Sequence, residues 1–348
     1  MIVFDGIIFS SKNKSGGISV YFREMLREAS LAAEQIQVVV HDKSIKPDDL
    51  HVKPEQLLFR PPRLLERSRS LSNLPPGLLH SSYYRTSRQS NVRNIVTVYD
   101  FTYEKFSTGI RAAFHTRQKR HAIMRSDAVI CISNNTCRDL QQFVPDYPAE
   151  KIFVTHLAAS GHFEPLESTA VTLTSSSFVL FVGGRADYKN FSTAIQALKL
   201  IDDVALICVG GGVFSAQERV LLDAALAGRY FHAGSINSAM LNEFYNAAIC
   251  LLYPSLYEGF GIPPLEAMQA GCPFVALNRS SVPEVAGDAG ILLDDSDPQL
   301  FADAINECRI AASRAKLRAR GFEQAAKFSW NKTFNETSHI YRQLLNRF

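Results

Sequence analysis

Residues 251–271 read LLYPSLYEGFGIPPLEAMQAG. With the AAIC before it, the opening of this stretch has the length and apolar character of a buried strand. Pro263 and Pro264 suit the first turn of a helix, where backbone N–H groups have no intrahelical partner. Gly271 suits its end. The stretch therefore reads as strand, loop and short helix, with Glu266 in the first helical turn and Glu258 in the loop. Gly259 and Gly261 strip side chains from that loop, so a ligand's hydroxyls or an anion can approach its backbone. A carboxylate at each end accepts hydroxyl groups well. The plain alternative is a helix-start glutamate favoured by the helix dipole beside a surface glutamate.

The same unit repeats outward. QIQVVVH, NIVTVYD and DAVICIS read as strands in the first half, and SFVLFVGG, VALICVGG, AICLLYPS, CPFVAL and AGILLD in the second. GGISVYFREMLREASLAA, NFSTAIQALKLI, SAQERVLLDAALAG and SAMLNEFYNAA carry apolar residues at helical spacing. Such alternation argues for an α/β protein with parallel sheets covered on both faces. The pattern restarts near residue 177, after the Ser/Thr-rich FEPLESTAVTLTSSS, read as a linker. Two Rossmann-like domains are expected, over 1–165 and 166–329, with a C-terminal helix over 330–348. FRPPRLLERSRSLSNLPPGLLH, residues 59–80, reads as a long loop or short helix.

Composition excludes several classes. The 348 residues are 46% hydrophobic and 20% charged, an ordinary globular balance. The opening MIVFDGIIFSSKNKSGG has neither the basic start nor the apolar core of a signal peptide. A cytoplasmic protein is expected, soluble or bound at a membrane surface. None of the six cysteines forms a C-x-x-C pair, so reduced buried thiols are expected rather than a metal site. Residues 1–165 carry 22 Lys+Arg against 16 Asp+Glu, and the remainder 15 against 18. That excess is too weak to imply nucleic acid and suits an anionic small molecule or membrane surface. Cations gather in residues 59–80 and in RAAFHTRQKRHAIMR, residues 111–125, which reads as a surface helix.

In open parallel sheets ligands bind beyond the carboxyl ends of the strands. After SFVLFVGG stand Arg185 and Lys189, with Asn190 placed to cap the next helix. Two cations at a helix start can seat phosphates, or can be solvated surface charges. VGGG at 209–212 reads as an ordinary strand–helix turn. Gly16 and Gly17, at another helix start, permit close backbone approach and fit a plain turn equally well.

EGFGIPPLE resembles the E-x7-E motif of retaining nucleotide-sugar glycosyltransferases of the GT-B fold, glycosyltransferase family 4. SGGISVYFREM, LLHSSYY, NIVTVYDF, SDAVICISNNTCRDL, FVGGRADYKNF, NRSSVPEVAGDAGILLD and FSWNKT resemble further signatures of that family, in order along nearly the whole chain. The resemblance implies two facing Rossmann-like domains and a C-terminal helix crossing back to the first. It implies that Gly184, Arg185 and Lys189 meet the donor diphosphate and Glu266 the ribose hydroxyls. Glu258 would contact the transferred sugar, with the backbone of Gly259, Phe260, Gly261 and Ile262. Gly16 and Gly17 would approach the diphosphate from the other domain. Glu284 matches a frequent family acid whose role does not follow from the sequence. Where many relatives have His-Asp, this chain has Tyr99-Asp100. Asp100 is the better candidate near the acceptor, with His80 as a further catalytic candidate or a structural residue.

The implied reaction transfers a hexose, mannose or rhamnose favoured, from a nucleotide-diphosphate sugar (GDP-mannose favoured) to a glycan or lipid-linked saccharide. Configuration would be retained and neither metal nor cofactor required, because cations neutralise the leaving group. A surface-polysaccharide role and peripheral contact with an anionic membrane follow as expectations. The alternatives are a GT-B epimerase or hydrolase, or a non-catalytic nucleotide-sugar binder. A dinucleotide oxidoreductase would need G-x-G-x-x-G and an acid some twenty residues on, a pair neither half offers.

Overall fold

A computed structural model describes residues 1–10, 16–63, 66–168 and 177–346. The chain forms two compact units, Met1–Leu157 with Ser329–Phe348, and Ala158–Phe328.

The first unit is built on seven parallel strands. They are β1 (Ile2–Asp5), β2 (Ile36–Val40), β3 (Leu57–Phe59), β4 (Gly77–Ser81), β5 (Val92–Val98), β6 (Ala128–Cys131) and β7 (Ile152–Val154), in the order β3-β2-β1-β4-β5-β6-β7. β1, β4 and β6 are buried along their whole length, as strands covered on both faces must be. The covering helices are α1 (Gly17–Leu31), α2 (Thr102–Phe106), α3 (Ile110–Met124) and α4 (Asn134–Phe143). The order reverses between β1 and β4, which makes their carboxyl ends the switch point where open sheets bind ligands.

The second unit has six parallel strands, β8 (Ser177–Val182), β9 (Val204–Val209), β10 (Tyr230–His232), β11 (Leu251–Tyr253), β12 (Phe274–Leu277) and β13 (Ile291–Leu293). Their order is β10-β9-β8-β11-β12-β13, with the reversal between β8 and β11. Helices α5 (Phe191–Lys199), α6 (Ala216–Leu226), α7 (Ser238–Ala247), α8 (Ile262–Ala270), α9 (Val282–Ala286), α10 (Pro298–Arg309) and α11 (Ala311–Ala325) pack around it. The last helix, α12 (Trp330–Leu345), belongs to the first unit. Its Thr333 hydroxyl donates to the His156 carbonyl at 2.6 Å.

The first unit ends at Leu157, short of the expected boundary at 165. The reason is hydrogen bonding. The Glu164 and Leu166 N–H groups donate to Asn242 and Asn246 on α7 at 3.1 and 2.9 Å, which ties this segment to the second unit. Residues 169–176 of the expected linker lie outside the described residues. Of residues 59–80, expected as a loop or short helix, Phe59 ends β3 and Gly77–His80 belong to β4; among the described residues between them a short 3-10 turn spans Glu66–Ser68, and positions 64–65 are likewise not described. Five of the six cysteines are buried and all are free thiols. No helix among the described residues is long and apolar enough to cross a membrane.

The cationic segment 111–125 does form a helix, α3, but it is not uniformly a surface feature. Lys119 is buried, where it pairs with Glu104 at 2.7 Å and donates to the Asp100 carbonyl at 2.9 Å. Its ammonium stands 4.5 Å from the centre of the Phe101 ring. It is therefore removed from the set of surface cations expected on this helix.

Candidate active site

In the second unit the switch point lies between the carboxyl ends of β8 and β11, and Lys189 and Glu258 follow those strands. They form a two-pronged pair, with Lys189 Nζ 2.6 and 2.8 Å from the Glu258 oxygens. Both side chains are nearly buried, 17% and 11% exposed, so the pair is poorly screened by water. Tyr253, the last residue of β11, shares the same carboxylate, and burial followed by the Glu258 charge raises its phenol well above the ordinary value. The loop of Glu258 is fastened from α9's side. The Glu258 N–H donates to Ser280 Oγ at 3.0 Å, and the Ser281 hydroxyl donates to the carbonyls of Glu258 and Phe260 at 2.9 and 2.7 Å. Gly261, at φ 116°, makes the turn into α8. That conformation is strained for any residue with a side chain.

Glu266 falls in the second turn of α8, because the helix already begins at Ile262. The helix dipole, confined to the first turn, does not account for it. The Tyr245 hydroxyl donates to its Oε2 at 2.9 Å. Loss of water around the carboxyl outweighs that bond and raises its pKa to about 7.

Arg185 occupies a different position from the one its spacing to Lys189 suggests. Its side chain is 4% exposed and pairs with Glu218 of α6 at 2.7 Å. Its remaining N–H groups donate to the carbonyls of Gly210, Gly212 and Val213 at 3.2, 2.9 and 3.0 Å. The guanidinium also lies over the Phe214 ring at 4.8 Å. Burial raises the Glu218 carboxyl, but the Arg185 bond and those from Ser215 outweigh it and leave it below the usual range. VGGG, read as an ordinary turn, is thus the collar that holds Arg185. Gly210, Gly211 and Gly212 all have φ between 72° and 77°, and a Cβ on Gly211 would stand 2.6 Å from the Gly183 carbonyl oxygen and 2.9 Å from Arg185. Asn190 stands before α5 in the left-handed region and gives the helix no side-chain cap. Its Oδ1 accepts instead from the Thr193 hydroxyl at 2.9 Å.

In the first unit, His80 is not a site residue. It is fully buried on β4, with Nδ1 2.5 Å from the Tyr341 hydroxyl and Nε2 2.8 Å from the Thr97 hydroxyl. The rings of Phe4, Phe22 and Tyr21 surround it, and burial lowers its pKa to about 3. It fastens α12 to the sheet as a neutral ring. Asp100, Gly16 and Gly17, by contrast, share one cavity of about 560 Å³ at the carboxyl ends of the central strands. Among the described residues, no atom outside Gly17's own helix backbone and its chain neighbours lies within 4 Å of where a Gly17 Cβ would be. Tyr83, Tyr103 and His115 also line this cavity. The sequence reading missed all three. YYR and TYE stand just after strands, a position that marks them, but His115 sits mid-helix with no local signal.

Residues 170–327 match the family model described as glycosyl transferases group 1. The chain is 28% identical over 272 residues to O-antigen chain mannosyltransferase B of Escherichia coli, covering 72% of this chain and 71% of that one. It is 26% identical over 239 residues to the serotype-specific mannosyltransferase WbdA of Escherichia coli, covering 64% of this chain and 29% of WbdA. The fold matches that of Anabaena Alr3699/HepE in complex with UDP and glucose at a TM-score of 0.75 and 17% identity, covering 97% of this chain and 98% of that one.

Proposed function

We propose that this chain, a glycosyltransferase of the GT-B fold that carries a group 1 glycosyl transferase domain, moves mannose from GDP-mannose to a growing surface polysaccharide with retention of configuration. The carrying observation is the Lys189–Glu258 pair at the switch point of the second unit. The choice of mannose is supported by the two Escherichia coli relatives, both named as mannosyltransferases.

Departure of the nucleoside diphosphate builds negative charge on its phosphate oxygens, and a fixed cation lowers the barrier most where that charge appears. Lys189 is the residue assigned to that task. In the unliganded arrangement its charge is held by Glu258; phosphate would take over the ammonium and leave Glu258 to accept from the sugar hydroxyls. Glu266 would accept from the ribose. Arg185 acts at one remove, by holding the Gly210–Gly212 turn. In this scheme Lys189 supplies the leaving-group charge and no metal ion is required. Exposed Ile110 and Phe114 beside exposed Arg111 and Arg117 on α3 support peripheral contact with an anionic membrane near the acceptor.

The test begins with a melting-temperature screen of nucleoside diphosphates, since a ligand at 100 times its Kd stabilises by about 2.7 kcal/mol. GDP is expected to give the largest shift. Transfer from GDP-mannose to an oligomannoside is then followed in EDTA, with the product's anomeric configuration read by NMR. A response to UDP alone rejects the donor, an inverted product rejects the stereochemistry, and activity lost to EDTA and restored by Mg²⁺ rejects the metal-free scheme.

A further inference from the structure

The carboxyl of Glu266 is held from α7 by a single side chain. The Tyr245 hydroxyl donates its one proton to Oε2 at 2.9 Å, and the Pro263 carbonyl, at 3.4 Å, is too distant to compete for it. Tyr245 is fully buried, so solvent does not compete either. A glutamate carboxyl turns easily about its last torsion, which is broad and two-fold, unless one oxygen is held. With Oε2 taken, Oε1 is the atom left to accept from a ligand, and its direction is set by the phenol that holds its twin.

Tyr245 is braced in turn. The buried Phe163 ring meets it edge-on at 5.7 Å. Phe163 belongs to the segment by which the chain enters the second unit at Ala158, and that segment is tied to α7 beside Tyr245. Asn242 Oδ1 accepts from the Glu164 N–H at 3.1 Å and Asn246 Oδ1 from the Leu166 N–H at 2.9 Å, while Asn246 Nδ2 donates to the Glu164 carbonyl at 2.9 Å. Asn242, Tyr245 and Asn246 fall at helical spacing, hence on one face of α7, so a shift of the phenol would strain contacts with the whole segment. Two titratable groups face Glu266, Tyr245 itself and Tyr253 at the end of β11, and burial holds both phenols well above the ordinary value. Glu266 is therefore the one of the three that changes charge near neutrality. The hydroxyl favours its ionised form, against the burial that disfavours the charge.

We propose that Tyr245 is a positioning residue of the nucleotide site: its hydroxyl holds Glu266 Oε2 and so presents Oε1 to the ribose hydroxyls, with Phe163 bracing the ring. The proposal rests on the reading of Glu266 as the acceptor from ribose. Tyr245 touches no substrate in this scheme. It acts by keeping one buried carboxylate charged and aimed.

Tyr245→Phe removes one oxygen and keeps the ring. Calorimetry on the full chain, with GDP and UDP in parallel, should show nucleotide binding about tenfold weaker at pH 6. At pH 9, where Glu266 is ionised in both proteins and only its aim differs, a smaller loss should remain. In transfer assays donor KM should rise with kcat nearly unchanged, because the ribose contact is alike in ground and transition states. Phe163→Leu, which loses the ring edge, should weaken binding about twofold and add nothing to Tyr245→Phe, whose ring no longer holds the carboxyl. Carbon-13 NMR of the Glu266 carboxyl, assigned by its absence in Glu266→Gln, reads the bond without any nucleotide. Its midpoint should move up by about one pH unit in Tyr245→Phe, and melting curves identify any variant that fails to fold. An unmoved midpoint, or a loss of nucleotide affinity that is equal at every pH, overturns the proposal. A midpoint that moves while nucleotide affinity stays constant, in Glu266→Gln as well, refutes instead the assignment of Glu266 to ribose.

Discussion

The two switch points solve the same geometric problem with opposite materials. At the end of β8 and β11 the second unit places a nearly buried ion pair, Lys189–Glu258, and a carboxyl raised to about 7 by loss of water, Glu266. At the ends of β1, β4 and β5 the first unit places rings, those of Tyr83, Tyr99, Tyr103 and His115, beside Asp100. Net charge points the other way. The half with surplus cations spends two of them in its interior, Arg85 on Asp5 and Glu66, and Lys119 on Glu104. The half with surplus acids holds a single cation of the expected pair, Lys189, at its switch point, where the proposed donor phosphate would dock. Charge counted along a sequence is therefore a poor guide to charge at a site, because burial decides which charges a ligand meets.

The contrast sharpens between two cations four residues apart. Lys189→Ala should lower kcat by about 10²–10³-fold, the usual loss when one donor to a developing anion is removed, beyond the stability lost by leaving the nearly buried Glu258 carboxylate without its partner. Arg185→Ala should destabilise the second unit by about 3–5 kcal/mol, because it strands the Glu218 carboxylate, and should lower the kcat of the folded protein far less. Denaturant unfolding and single-turnover rates separate the two outcomes. If Arg185→Ala melts like the wild type yet loses turnover as Lys189→Ala does, Arg185 must leave Glu218 for the phosphates, and the division of labour collapses.

Glu266 yields a smaller, pH-dependent effect. Its folded pKa, about 7, lies above the usual carboxylate value because burial disfavours the charge. For an acid raised in this way, stability is greatest below the unfolded pKa and falls as pH rises toward the folded one. Ribose hydroxyls donating to the ionised carboxylate reverse that preference. Nucleotide affinity should then rise about tenfold between pH 6 and 8, with proton release on binding. Calorimetry in buffers of different ionisation enthalpy measures the release, and Glu266→Gln should flatten the profile. Proton uptake would mean that the neutral acid is the binding form.

Much of this was legible in the sequence because parallel strands buried on both faces leave continuous apolar runs. QIQVVVH, VALICVGG and CPFVAL all became strands. β1, β3, β7 and β10 escaped, and so did the five-residue β4, whose GLLH was read as the end of a loop because prolines and arginines precede it. Glu258 and Lys189 stood out because both follow strands, and their meeting across 69 residues is a consequence of strand order. Spacing could not show that Arg185 turns away into the glycine collar. It also could not show that His80, placed like a site residue, faces a ring of aromatic side chains. Those outcomes depend on what lies opposite in space. His115 was invisible for the same reason, since its partners Tyr83 and Tyr103 come from other elements.

The smallest expected effect concerns α3, whose outward cations and buried Lys119 stand on one helix. Each cation near an anionic surface contributes about 1 kcal/mol, and the attraction decays within a Debye length. Arg117→Ala should therefore weaken co-sedimentation with phosphatidylserine-rich vesicles about fivefold at low salt and leave it nearly unchanged at high salt. Lys119→Ala removes the same formal charge from the same helix. Because Lys119 is buried against Glu104 and Phe101, its loss should lower the melting temperature of the first unit and leave vesicle affinity unmoved wherever the protein is folded. Equal losses of vesicle binding from the two substitutions would mean that net charge alone governs the attraction. No binding by the wild type, even to strongly anionic vesicles, would leave the acceptor to be met in solution.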